Sequence, residues 1–254
     1  MKIRVLGCSG GVGQDLRTTS FLVNDTVLID AGSGVGELTL EEMSRIKHIF
    51  VTHSHLDHVN FIPLLVDSIF DSIIDPIVVH SQPATLRALK DHIFNWVIWP
   101  DFTELPSPDN GVLKFEEMNV GEVIGLDGIS FEMIAVDHIV QSAGYRVEDN
   151  GKSFAFSGDT STNDTFWQAL NKHKSLDVLV VETAFPERQL HLANLSKHYT
   201  PSLLAADIKK LKHSPEVYLT HLKPGDEEQI IDDTKRLTPN LSFKILEKET
   251  IFKL

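Results

Sequence analysis

The stretch Thr52-His53-Ser54-His55-Leu56-Asp57-His58 limits, more than any other, what this chain can fold into. Three imidazoles and a carboxylate fall within six residues, directly behind the apolar run His48-Ile49-Phe50-Val51. β-Branched and aromatic residues favour an enclosed, pleated segment, so that run reads as a buried strand ending at a site. His53 and His55 are two positions apart, and an extended or turning backbone aims both rings the same way. Asp57 and His58 then open Val59–Phe70, whose apolar residues no longer alternate and predict a helix. A solvated surface turn has no need of ligands in this order.

Composition narrows the setting. A chain of 254 residues fits one large domain, taken here as 1–254, and can bury a substantial core. The 42% hydrophobic and 23% charged content are globular values. No apolar run approaches the roughly 20 residues a membrane span needs, so no membrane role is expected. The start, Met1-Lys2-Ile3-Arg4-Val5-Leu6-Gly7, is a short strand running into a Gly-rich turn and lacks the pattern of a secretory signal. Cys8 is the single cysteine, which leaves no disulfide framework and no thiolate zinc cluster, and a cytoplasmic location is the default expectation. The formal net charge is −13, with 23 basic residues scattered among 36 acidic ones. Binding to a long polyanion relies on clustered Lys and Arg, so nucleic acid is disfavoured as a partner. A small anion remains compatible, because bound divalent cations invert the local potential of an acidic protein. A homodimer is equally compatible.

The chain alternates strand-like and helix-like segments. Lys2–Leu6, Ser20–Val23 and Val27–Ile29 predict opening strands, with an Asn24-Asp25 turn, and Val35–Arg45 predicts a helix. Ile77–His80 predicts a strand and Pro83–Trp96 a helix with proline in its first turn. Trp99–Gly111, rich in proline, predicts a long loop. Further buried strands are expected at Ile129–Val136, Ser153–Phe156, Val178–Val181 and Val217–Thr220. Helices are expected at Asn163–His173, Thr200–Lys212 and Glu227–Leu237. Two sheets sandwiched by helices in one α/β domain is the simplest account. Gly7-Cys8-Ser9-Gly10-Gly11-Val12-Gly13 lacks the Gly-Lys-Ser/Thr ending of a phosphate loop and reads as a tight turn able to approach the site.

Three more ligand candidates stand where predicted strands end: His138 after Ile134-Ala135-Val136-Asp137, Asp159 after Phe156-Ser157-Gly158, and His221 after Leu219-Thr220. A lone histidine after a strand is usually a cap or a surface group. Three such ends in a chain that already carries the dense motif supply the seven ligands of a dinuclear centre.

This ordered set, with Asp30-Ala31-Gly32 before it, resembles the metallo-β-lactamase superfamily. The resemblance covers nearly the whole chain and implies a four-layered αββα sandwich with its metal site at one edge of the sheets. Carried over residue by residue, it implies that His53, His55 and His138 hold one metal. Asp57, His58 and His221 would hold the other, with Asp159 bridging and Asp30 structural. Ligation by nitrogen and oxygen alone suits two Zn²⁺ ions and tolerates Mn²⁺ or Fe. Such a pair lowers the pKa of a bound water and polarises the electrophile, which implies hydrolysis. The fold alone leaves the substrate open.

Glu182-Thr183-Ala184-Phe185 and His198-Tyr199-Thr200 are similar to segments of the phosphodiesterase branches, where a histidine oriented by a carboxylate protonates the leaving oxygen. Glu182 and His198 are therefore expected to be catalytic, and Asp57 is counted with them as well as among the ligands. The alternatives are a helix-cap role for His198 and support of a metal ligand from behind for Glu182. The tRNA 3′-end-processing endonuclease carries a long arm between its corresponding histidine and aspartate. Here Ile139–Ser153 suffices only for a hairpin. The chain more closely resembles the class II cyclic-nucleotide phosphodiesterase family. The carriers are the histidine motif followed by Ile62-Pro63-Leu64-Leu65-Val66-Asp67, the segment Phe94–Phe102, Glu182–Pro186 and Thr220-His221-Leu222-Lys223-Pro224. Asn60-Phe61 departs from the glycine many relatives carry. The implied activity is hydrolysis of 3′,5′-cyclic AMP, with cyclic GMP as a second substrate, to the 5′-nucleotide. Lys223 is a candidate phosphate contact. Trp99 and Phe102, beside Trp96, are candidate surfaces for the base, although aromatics beside prolines more often pin a loop to the core. The alternatives are another phosphodiesterase activity, on RNA ends for example, and a metal-binding protein without catalysis.

Overall fold

The computed structural model describes residues 1–254. Seven strands form the first sheet: β1 (Lys2–Gly7), β2 (Ser20–Val23), β3 (Val27–Ile29), β4 (His48–Phe50), β5 (Ile77–Ser81), β6 (Leu113–Glu117) and the C-terminal Ile251–Lys253. Seven more form the second: β7 (Val123–Leu126), β8 (Ile129–Ala135), β9 (Ala143–Asp149), β10 (Lys152–Phe156), β11 (Val178–Glu182), β12 (Glu216–Thr220) and β13 (Phe243–Ile245). The C-terminal strand, β14, pairs with β1 at the edge of the first sheet. Helices α1 (Leu40–Met43), α2 (Leu56–Val59), α3 (Phe61–Ile69) and α4 (Pro83–His92) precede β6. Helices α5 (Thr165–Leu170), α6 (Leu190–Ser196), α7 (Pro201–Asp207) and α8 (Glu227–Leu237) lie among the later strands.

Side-chain alternation sets the layers. Phe21 and Val23 of β2 and Phe50 of β4 face inward and meet Phe131, Tyr145, Phe154 and Phe156 between the sheets. Leu22 and Ile49, one position away, face outward and pack with Ile62 and Leu65 of α3 and Leu86 and Leu89 of α4. The second sheet repeats this: Val178 and Val180 of β11 point between the sheets, while Leu179 and Val181 meet Trp167, Leu204 and Ile230 on the helices. Strands buried on both faces read as continuous apolar runs, which is why they were legible. Burying each such side chain is worth about 1.5–3 kcal/mol. The order is helix, sheet, sheet, helix: the αββα metallo-β-lactamase sandwich expected from the sequence. No helix is long and apolar enough to cross a membrane.

Topology gathers the strand ends. β3, β4, β5 and β6 are parallel, and β1, two antiparallel steps from β3, runs with them. In the second sheet β10 to β13 are parallel, and β8, two antiparallel steps from β10, shares their direction. The residues following β1, β3, β4, β8, β10, β11 and β12 therefore meet at one edge.

Several elements differ from expectation. The Val35–Arg45 helix is a 3-10 turn, Ser33–Glu37, followed by α1, where a capping box between Thr39 and Glu42 restarts the chain. The helix expected from Val59 begins earlier, at Leu56, and is broken at Asn60 into α2 and α3. α4 ends at His92 instead of Trp96, because the Asn95 side chain accepts from the amides of Val97 and Ile98 and Trp96 turns left-handed, φ +63°. The helix expected over Thr200–Lys212 is α7 followed by a 3-10 turn, Ile208–Lys210. β6, β7, β13 and β14 are strands that the pattern did not reveal. The Ile139–Ser153 segment is the expected hairpin, with Asn150 and Gly151 at φ +50° and +79° joining β9 to β10.

Candidate metal centre

The site begins with Asp30, the residue after β3. It is fully buried and left-handed, φ +56°. Thr52 N donates to its Oδ1 at 2.8 Å, Thr52 Oγ1 to its Oδ2 at 2.9 Å, and His58 Nδ1 lies 2.7 Å from Oδ2. Asp30 thus fixes the start of the histidine motif and the tautomer of His58 without facing the cluster itself. The chain after β4 carries His53 and His55, and α2 presents Asp57 and His58. From the second sheet, His138 arrives after β8, with Nδ1 2.9 Å from Lys197 O. Asp159 follows a tight turn after β10. Gly158 sits there at φ +60°, and a Cβ on it would stand 2.5 Å from Ala143 O. His221, after β12, completes the set.

These side chains converge. One potential ligand atom from each of His53, His55, His138 and Asp159 lies within 4.8 Å of the others, and the same holds for Asp57, His58, Asp159 and His221. Asp159 belongs to both groups. Buried polar atoms normally find a partner, yet His53 Nε2, His58 Nε2, Asp159 Oδ1 and both nitrogens of His221 have none. Protonation states agree with metal ligation, which needs neutral imidazole and ionised carboxylate. Burial pushes His53 well below the ordinary imidazole value, lowers His55 and His138, and takes His221 down to about 3. Burial alone would raise Asp159, but His221 and His58 outweigh it and hold the carboxyl well below its usual range. His58 is the exception. Burial pulls it down, yet the carboxylates of Asp159 and Asp30 overcome that and raise it well above 6.5. A cation competes for the same nitrogen. The residues fit a pair of metal ions.

Beside this cluster His198 Nδ1 lies 2.8 Å from Glu182 Oε1, and both residues are buried. Glu182 ends β11 and also accepts from Thr160 N at 2.9 Å, Ala184 N at 3.0 Å and Tyr199 N at 3.3 Å. Its carboxylate is held on every side. Burial lowers the His198 pKa, but Glu182 more than compensates and leaves it above 6.5. The His198 ring stands 4.9 Å from that of His138 and 5.5 Å from those of His221 and Phe185.

The structure brings together His53, His55, Asp57, His58, His138, Asp159, His221, Glu182 and His198. Lys223 lies close by: its Nζ donates to Gly10 O at 2.8 Å and sits 5.8 Å from the Phe185 ring. Trp99 and Phe102, the expected surfaces for a base, lie outside this group. α4 runs back from the site edge of β5, so the loop after it starts at the opposite edge. Phe102, 3% exposed, packs there 5.7 Å from Phe70, and Trp99 lies against the same cluster. Sequence reading also missed the carbonyls of Lys197 and Cys8. A backbone acceptor carries no signal in residue identity.

The chain belongs to the β-lactamase superfamily: the family model described as the beta-lactamase superfamily domain matches residues 25–222. Within it, the chain is 25% identical to a probable 3′,5′-cyclic-nucleotide phosphodiesterase of Yersinia pestis, over 89% of this chain and 79% of that protein. It is 24% identical to a ribonuclease Z of Haloarcula marismortui, over 92% of this chain and 91% of that protein. Unliganded yeast PDE1 shares the fold, with a TM-score of 0.84 at 18% identity, covering 100% of this chain and 99% of that chain. The protein is thus a member of a metallo-hydrolase superfamily with a cluster able to hold metal ions.

Proposed function

We propose that the protein hydrolyses 3′,5′-cyclic nucleotides, cyclic AMP foremost, to 5′-nucleotides in the cytoplasm. It would use two Zn²⁺ ions, one held by His53, His55 and His138 and the other by Asp57, His58 and His221, with Asp159 shared. Bound there, the ions would supply a nucleophilic oxygen at neutral pH and offset charge on the phosphate. The observation that carries the phosphodiester reading is the buried Glu182–His198 pair beside the ligand cluster. An alkoxide leaves a phosphodiester poorly, and a positioned acid contributes roughly 10²–10⁴-fold. With Nδ1 donated to Glu182, the Nε2 of His198 is the nitrogen free to carry a proton toward the substrate. A water oxygen forms a bond to phosphorus and gives up one proton to solvent, the P–O3′ bond breaks, the His198 proton passes to O3′, and His198 is reprotonated from solvent afterwards. Glu182 stabilises the imidazolium that delivers it. Lys223 spends one of its three N–H groups on Gly10 O and has two left for a phosphate oxygen.

The ribonuclease Z relative supports a second reading, cleavage at RNA ends. The chain's net charge of −13 and its short hairpin between His138 and Asp159 favour the smaller substrate. Metal-loaded protein offered cyclic AMP and a precursor tRNA separates the two. Formation of 5′-AMP supports the first reading; cleavage of the RNA alone supports the second. His198→Ala is expected to lower turnover with metal content intact, whereas loss of metal in that variant would make His198 structural.

A further inference from the structure

His53, His58 and His138 each have the ring nitrogen remote from the cluster held by a partner: Thr52 Oγ1 at 3.0 Å, Asp30 Oδ2 at 2.7 Å and Lys197 O at 2.9 Å. His221 has none. Neither of its nitrogens is hydrogen-bonded: Nδ1 and Nε2 lie 3.4 and 3.8 Å from Asp159 and Asp57, carboxylates of the cluster itself, and the ring is stacked against those of His58 and His198, 5.5 Å from each. Without an orienting hydrogen bond from outside the cluster, the ring depends on these packing contacts and on its backbone for its aim. That backbone is in the left-handed region, φ +61°. A residue with a Cβ adopts it only where its surroundings enforce it.

The enforcement comes from the opposite sheet. Cys8 O accepts from His221 N at 2.8 Å and from Thr220 Oγ1 at 3.0 Å. Gly10 N donates to Leu222 O at 3.0 Å, and Gly10 O accepts from Lys223 Nζ at 2.8 Å. The approach is so close that a Cβ on Gly10 would lie 2.4 Å from His221 O and 3.1 Å from its ring Cδ2. Cys8–Gly10 follows β1 of the first sheet, whereas His221 follows β12 of the second. This grip therefore spans the two halves of the ligand set.

We infer that Cys8–Gly10 is the positioning element for His221, and that tight occupancy of the ion position formed by Asp57, His58, Asp159 and His221 requires a residue without a side chain at position 10. The inference rests on the reading of His221 as a ligand. Cys8 and Gly10 act through the backbone of His221. The same contacts give Lys223 a positioning role, since its ammonium secures the Gly10 carbonyl.

The test is zinc binding by the full chain. Ions per chain are measured by elemental analysis, and stepwise affinities by competition with a chromophoric chelator. Wild type is compared with Gly10→Ala, Lys223→Met and His221→Ala. The expected result is that Gly10→Ala keeps one ion at wild-type affinity and binds the other about 10–100-fold more weakly, in the manner of lost outer support to a ligand. Lys223→Met, which keeps an alkyl chain over Phe185 and releases Gly10 O, is expected to weaken the same ion by a smaller factor. It decides the question should Gly10→Ala not fold. His221→Ala is expected to lose that ion outright. Wild-type affinity for both ions in Gly10→Ala and Lys223→Met, while His221→Ala loses one, overturns the inference and leaves the ligand assignment standing. Equal weakening of both ions also overturns it, as general destabilisation. Retention of both ions by His221→Ala removes the ligand assignment and the inference with it.

Discussion

Replacing Glu182 by glutamine turns one carboxylate oxygen into an amide nitrogen, and the surroundings offer that nitrogen no acceptor. Oε1 receives Thr160 N and His198 Nδ1, at 2.9 and 2.8 Å, and Oε2 receives Ala184 N and Tyr199 N, at 3.0 and 3.3 Å. All four are donors. The least costly orientation keeps the glutamine oxygen toward Thr160 and His198 and sets its NH₂ against two buried amides. Each buried donor left without an acceptor costs about 1–3 kcal/mol, so the two backbone amides alone cost the variant about 2–6 kcal/mol of stability. At about 2–4 °C per kcal/mol for a chain of this size class, that alone lowers the melting temperature by about 4–24 °C. Turnover falls separately, because the His198 imidazolium now faces a neutral oxygen. Weakening that bond from charged to neutral, about 1–2 kcal/mol, corresponds to about 5–30-fold. Thermal unfolding and cyclic AMP turnover are measured on Glu182→Gln, His198→Ala and the double variant, all metal-loaded. In the His198→Ala background the Glu182 change is expected to cost little further turnover, because the two residues act as a unit. Wild-type melting and wild-type turnover in Glu182→Gln, or independent effects in the double variant, would show that Glu182 neither anchors these donors nor acts through His198.

Three further outcomes follow from the same geometry. Removal of metal by a chelator is expected to lower the melting temperature, and stoichiometric Zn²⁺ to restore it, because ions that bind the folded state alone stabilise it; a melt indifferent to chelator contradicts this. His80, beside His48 and pushed by burial from 6.5 down to about 4, stays neutral in the folded chain at pH values where the unfolded chain takes up a proton. Stability therefore falls as pH drops from 6.5 toward 4. In His80→Phe the slope of melting temperature against pH in that window should be shallower by up to about one proton's worth, and an unchanged slope counts against the assignment. Trp96→Ala, on the exposed loop far from the ligand cluster, should leave KM for cyclic AMP within about twofold, as surface changes away from a site usually do; a large rise in KM would restore a substrate role to that loop.

How much of this was legible depended on where each signal resides. The ligands of His53–His58 are contiguous, so their chemistry shows without any fold. Asp159 and His221 were legible because each follows a short, largely buried apolar run, Phe154–Phe156 and Val217–Leu219, and His138 because β8 alternates Ile129, Phe131 and Met133 with Ser130 and Glu132. The edge strands β6 and β7 were missed for the opposite reason: Lys114, Glu116 and Glu117 on one and Gly125 on the other interrupt any pattern. Helix lengths were overestimated at Val35–Arg45 and Thr200–Lys212 because apolar periodicity continues through 3-10 turns. The aromatic residues Trp99 and Phe102 looked suited to a base because residue type says nothing of which end of the sandwich a loop occupies. Only the direction of α4 decides that. The grip of Cys8–Gly10 on His221 was invisible for a third reason, since it is made of carbonyls, amides and a missing side chain.

The product formed from cyclic AMP by metal-loaded protein in ¹⁸O-labelled water decides whether the chain is a cyclic-nucleotide phosphodiesterase of this kind. Cleavage of the P–O3′ bond with His198 protonating O3′ predicts 5′-AMP carrying the label on phosphate. Exclusive 3′-AMP, or no turnover of cyclic AMP by protein that holds both ions, would contradict it.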